Sequence, residues 1–100
     1  MSFRAEDEEL VERCTDAALH GLVAPLNQRD ANVFRLAAMI LRPKFPTESE
    51  RLWGICEAYF SLHPSELVES AQVVRNGWVT SPPRFRDMLE FRLNLLLGHL

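Results

Sequence analysis

Two cysteines, Cys14 and Cys56, and three histidines, His20, His63 and His99, are among the side chains of this 100-residue chain that could hold a metal, close a disulfide or move a proton. Their spacing supports none of these. The cysteines stand far apart, outside any CxxC pattern, at positions that fall on apolar helix faces, which is the setting of reduced, buried thiols. Each histidine is isolated near a helix end, without the cluster of cysteines or carboxylates that a zinc site or an acid–base pair needs. There is no GxSxG and no glycine-rich phosphate loop, and the four glycines are scattered. The expectation is a non-enzyme with no catalytic residue, metal or cofactor. What the chain offers instead is apolar contact: Trp53 and Phe60, with Met88, Phe91 and Leu95, are the residues expected to bind a protein partner.

The segment that carries Trp53 and Phe60 is the most informative. Thr47 followed by Glu50 reads as a capping box, in which each side chain satisfies an unpaired N–H of the first turn, and it predicts a helix over 47–62. On that helix Leu52, Trp53, Ile55, Cys56, Ala58, Tyr59, Phe60 and Leu62 cover an arc of roughly 220°, where a one-sided surface helix needs only a little over about 100°. Either the helix lies between two layers of its own domain, or the flank with Trp53 and Phe60 faces a groove that another chain fills.

The remaining sequence is helical in pattern as well. Residues 6–23 carry Leu10, Val11, Cys14, Ala17, Ala18 and Leu22 at helical spacing, after an acidic run that suits a positive helix N-terminus. Asp30 is the expected cap of a second helix over 31–41, striped by Val33, Phe34, Ala37, Ile40 and Leu41 and stopped by Pro43 and Pro46. His63-Pro64 closes the third helix and opens a fourth, whose stripe of Leu67, Val68, Ala71 and Val74 runs to Asn76-Gly77. Residues 82–97 form a fifth helix, again apolar over a wide arc, with Arg92 inside it.

Short turns make sequential helices antiparallel, so the expected architecture is one all-α domain over 1–100 with five antiparallel helices. The third and fifth helices, broadest in apolar arc, are separated by about 35 residues, close to the roughly 34-residue period of tetratricopeptide (TPR) hairpins. In a TPR-like stack the odd helices line the concave side and need two apolar flanks, while the even ones need one.

Composition narrows the function classes. The 11 basic and 14 acidic residues leave a net charge of −3, and the basic residues are scattered, so no phosphate-tracking surface for nucleic acid is expected. The longest purely apolar run, 36–41, falls well short of the roughly 20 residues of a membrane span, and the N-terminus is acidic where a signal peptide is basic. A cytoplasmic protein without a membrane span is the expectation.

Ala18-Leu19 with Gly21, Asp30-Ala31-Asn32, Arg51-Leu52 with Ile55, Ser70-Ala71-Gln72 and, most specific, Leu89-Glu90-Phe91-Arg92-Leu93 occur in an order and spacing that resembles the tetratricopeptide-like chaperones of type III secretion needle subunits. The match to the TPR consensus itself is loose, through Leu52, Ile55, Cys56 and Tyr59. The chain also looks shorter than that family at its C-terminal end, where a sixth helix usually pairs with the fifth. The resemblance implies a bacterial cytosolic chaperone, hetero-oligomeric in use. It would hold the amphipathic C-terminal helix of a secreted needle-type subunit in a concave groove, together with a second, smaller co-chaperone.

Two alternatives stand beside this reading: a helical regulatory or inhibitor protein that docks on a larger partner, and a homodimeric helical adaptor. Trp53 and Phe60 are equally consistent with an internal core. Arg92 is read as an internal or snorkelling arginine, with Glu57 as one internal carboxylate it could meet.

Overall fold

Gly21 ends the first helix. Its φ of +69° lies in the left-handed region, where a side chain is strained, and its N–H donates to the Ala17 carbonyl at 2.8 Å. The helix therefore stops short of the predicted residue 23. The computed structural model describes residues 5–67 and 83–98, and among these the regular structure is entirely helical. The helices are α1 (Ala5–His20), α2 (Gln28–Leu41), α3 (Pro46–Leu62) and α4 (Pro83–Leu97). Residues 64–67 are also helical and begin the predicted fourth helix, whose remainder lies outside the described residues. The predicted fifth helix is α4. No helix among the described residues is long and apolar enough to cross a membrane.

Two helix starts differ from expectation. Asn27, not Asp30, caps α2: its side chain accepts from the Asp30 N–H at 3.0 Å, and the helix opens three residues earlier than predicted. Asp30 falls in the first turn, where its carboxylate accepts from the Arg13 guanidinium and, at 3.0 Å, from the Leu26 N–H. The α3 start uses no capping box. Phe45 occupies the cap without a side-chain bond, Pro46 supplies a pre-set first position, and Thr47 and Glu50 are exposed. Phe45 is itself buried, so a hydrophobic anchor and a proline set the helix entry that the Thr–Glu pair was expected to set.

The distribution of burial also differs from the odd-helix expectation. Ten of the fourteen residues of α2 are buried, which makes it the central helix. Its small Ala31, Ala37 and Ala38 let neighbours approach on several sides, and it packs against α1, α3 and α4. By contrast α3 buries a single stripe, Ser49, Leu52, Cys56 and Phe60. Its other apolar residues lie at or near the surface. On α4 the buried stripe is Phe85, Leu89 and Leu93.

α1 and α2 each touch both α3 and α4, while α3 and α4 share no contact among the described residues. In a linear stack of hairpins the third and fifth helices are neighbours; here the last helix rests on α1 and α2 instead. Arg92 is one tie that holds it there. Its Nε donates to Thr15 Oγ1 at 3.1 Å and its Nη2 lies 3.7 Å from Glu12 Oε1, so its partners are on α1 and not at Glu57. Between the other elements, Ser49 Oγ donates to the Ala38 carbonyl at 2.6 Å and Arg51 Nη1 donates to the carbonyls of Ala18 and Leu19 at 3.0 and 2.6 Å.

Candidate partner-binding site

Trp53, Cys56, Glu57, Phe60 and Ser61 of α3 form one wall of an open cavity of about 430 Å³, which Arg35 of α2 and Leu67 also line. A second, larger hollow of about 930 Å³ shares Arg35 and Trp53 and extends past Met39 and Arg42 of the α2 end and Glu50 of the α3 start. Trp53 stands between the two. It is 38% exposed, its indole N–H donates to Glu57 Oε1 at 2.8 Å, and the Arg35 guanidinium carbon lies 5.5 Å from its ring centroid.

Arg35 reaches this place because it interrupts the otherwise apolar run Val33-Phe34-Arg35-Leu36-Ala37 on the central helix. The residue is half-buried, and its Nε and Nη1 are closed off from solvent without a hydrogen-bond partner. An arginine with two unsatisfied buried N–H groups is uncommon, because each forfeits its hydration. Beside it the Cys56 thiol donates to the Ala31 carbonyl at 3.6 Å. Burial pushes that thiol up to about 12, against the opposing pull of the Arg35 charge. Burial also raises the Cys14 thiol, and the neighbouring Cys56 adds to the effect. Both cysteines are free and protonated at neutral pH, which makes them packing groups and not nucleophiles. No group of three metal-ligating side chains occurs among the described residues.

The five residues singled out from the sequence fall on two surfaces. Trp53 and Phe60 line the same cavity, Phe60 from inside at 6% exposure and Trp53 from the rim. Met88, Phe91 and Leu95, spaced i, i+3 and i+7, form one stripe on α4, where Met88 leans on the core while Phe91 and Leu95 are 59% and 58% exposed. Because α3 and α4 do not touch among the described residues, this stripe does not join the cavity at Trp53.

The sequence reading missed two features. Arg35 was legible as the lone charge in the apolar stretch of the second helix. A further apolar hollow of about 420 Å³ lies between the α1–α2 loop and the last turns of α3, with Leu22, Leu26 and Leu62 strongly exposed along it. Its signal was the loop Gly21-Leu22-Val23-Ala24-Pro25-Leu26, which has no polar side chain.

Comparison with protein-family models, curated proteins and solved structures gives no significant match to this chain.

Proposed function

We propose that the protein is a non-enzymatic binding module that covers the apolar face of an amphipathic helix belonging to a protein partner, as the needle-subunit chaperones it resembles do. The observation that carries this reading is the mismatch on α3: a helix apolar over most of its circumference buries only one stripe, while Trp53 stands at the rim of a cavity that Cys56 and Phe60 also line, and Ala58 and Leu62 lie exposed along a second, apolar hollow. Cavities lined by aromatic and aliphatic side chains with a few polar groups suit a helix laid into a groove, and Trp and Arg are the residue types that most often anchor such contacts. In this reading α1, α2 and α3 act as one and a half antiparallel TPR-like hairpins. The partner helix lies along α3, in contact with Trp53 and Phe60. The exposed stripe of Phe91 and Leu95 takes a second contact, from the same partner or from a small co-chaperone. The protein works in the cytoplasm, where an aggregation-prone secreted subunit needs its apolar face covered before export.

The α4 stripe by itself favours a second reading, a homodimeric adaptor that pairs through Phe91 and Leu95. Light scattering coupled to size-exclusion chromatography separates the two. The chain alone is expected to be poorly soluble or self-associated, and to become monodisperse when co-expressed with products of its neighbouring genes. Trp53→Ala is expected to lose that rescue while retaining its helicity by circular dichroism. A chain that is a discrete, soluble dimer by itself and binds none of those products supports the adaptor instead and overturns the chaperone reading.

A further inference from the structure

We propose that the cavity beside Trp53 selects a partner segment carrying a carboxylate, an Asp or Glu set among aliphatic or aromatic residues at helical spacing, and that Arg35 is the group that receives it. This rests on the helix-binding reading above and specifies the chemistry of the bound helix.

Arg35 lies against the Trp53 ring yet leaves two buried nitrogens without a hydrogen-bond partner. Arg35 lies between Phe34 and Leu36 on the most buried helix, where a Leu or Met would fill the stripe without leaving N–H groups unsatisfied. Its Nε and Nη1 have no acceptor, and the charge faces a cavity whose walls include Trp53, Cys56 and Phe60. One carboxylate lines that cavity, Glu57, which accepts from the Trp53 indole at 2.8 Å and forms no ion pair with Arg35; the exposed Glu50 lines the neighbouring hollow. A guanidinium beside the apolar Trp53, Phe60 and Leu67, with no ion pair among the described residues, complements a carboxylate delivered on an apolar segment. In such a desolvated setting, a charge-assisted bond discriminates strongly between an acid and its amide. Trp53 is the group that must turn to admit it. Its ring lies over the guanidinium, and the one hydrogen bond restraining it, to Glu57, is solvent-exposed.

The test is a selection from a displayed library of 15-residue amphipathic helical peptides, carried out in parallel on the full chain and on Arg35→Met. The wild type is expected to enrich peptides with Asp or Glu at one fixed helical position, and Arg35→Met to enrich apolar peptides without it. For one selected peptide, measured by fluorescence anisotropy, replacing the acid by its amide is expected to weaken wild-type binding at least about tenfold and to leave Arg35→Met unchanged. In a Trp78→Phe background the Trp53 emission is expected to shift on binding. Thermal unfolding supplies a second readout: Arg35→Met is expected to keep or raise the midpoint, because it removes an unsatisfied charge. Enrichment of apolar peptides with no acidic position overturns the carboxylate inference and leaves the helix-binding reading standing. Failure to enrich any peptide overturns both. A midpoint lowered by several degrees in Arg35→Met also overturns the inference, since Arg35 is then a structural residue held by an internal partner such as Glu57.

Discussion

Arg51 of α3 donates through Nη1 to the carbonyls of both Ala18 and Leu19, the last turn of α1, at 3.0 and 2.6 Å. A positive side chain here answers two needs of a helix C-terminus, its unsatisfied carbonyls and its partial negative charge. The chain leaves the helix at Gly21, where a Cβ would come within 3.7 Å of Arg51 Cδ on a backbone already at positive φ. The arginine and the glycine thus form one device that ends α1 against α3. Arg51→Met is expected to lower stability by about 1 kcal/mol, since the side chain is partly exposed, and Gly21→Ala by a similar amount through strain, about 1 kcal/mol. Urea unfolding followed by circular dichroism measures both.

Asp30 has two tasks in the opposite corner of the same loop. Its carboxylate holds Arg13 and the Leu26 N–H, while Arg13 Nη2 reaches the Ala24 carbonyl at 3.2 Å and its guanidinium lies 5.7 Å from the Phe34 ring centroid. Asp30→Ala strands a mostly buried arginine and is expected to cost about 3 kcal/mol. Limited proteolysis is expected to show faster cutting in the loop at 21–27. An unchanged unfolding midpoint in this variant contradicts that role.

The two thiols set an alkaline limit. Cys56 moves from an ordinary value of 9.0 up to about 12 on burial, and Cys14 is also raised. The folded state therefore keeps protons that the unfolded chain releases above pH 9, so their contribution is complete below that pH and declines as pH rises toward 12. Tyr59 adds in the same direction. Its hydroxyl donates to Glu66 Oε2 at 2.6 Å, and that bond moves it from 10.0 up to about 12. Urea midpoints are expected to be flat from pH 7 to 8.5 and to fall by pH 10.5, with a shallower fall in Cys56→Ala. A thiol reagent such as iodoacetamide is expected to label neither cysteine in the native protein at pH 8.

On α4 two positions one residue apart separate the core from the exposed stripe. Leu89 is fully buried, and Leu89→Ala is expected to cost about 3 kcal/mol through lost burial and a residual cavity. Phe91 is 59% exposed, and Phe91→Asp is expected to change stability by less than about 0.5 kcal/mol while reducing self-association or partner capture. Paired melting curves and sedimentation velocity test the contrast. A large loss of stability in Phe91→Asp places that ring in the core and removes the second surface.

The all-helical character and most helix bodies were legible, because apolar spacing and proline punctuation act locally. Both cap assignments that failed did so for a tertiary reason. Asp30 has the chemistry of a cap, but Arg13, seventeen positions away, claims its carboxylate, and Asn27 takes the role. Thr47 and Glu50 have the spacing of a box, but the buried Phe45 fixes the entry to α3 first. The expectation that the odd helices carry two apolar flanks and the even ones only one did not show that α2 is the most buried helix, for the opposite reason. A broad arc of large residues on the third helix looked more demanding than a helix of alanines, yet alanines at 31, 37 and 38 are what allow three neighbours to approach α2. The excess of apolar surface on α3 and the exposure of Phe91 and Leu95 were readable from periodicity. Their separation onto helices that do not meet was not, since periodicity reports a face and not the neighbour across it.

That separation would set the valency of the proposed binding role. With α3 and α4 both resting on α1 and α2 and not on each other, a ligand seated by Trp53 would leave Phe91 and Leu95 free, so under the proposed binding role two different chains would not compete for the same side chains. Under that role, energetic effects of substitutions at Trp53 and Phe91 are expected to sum independently, and a ternary assembly to form from two ordinary binary steps.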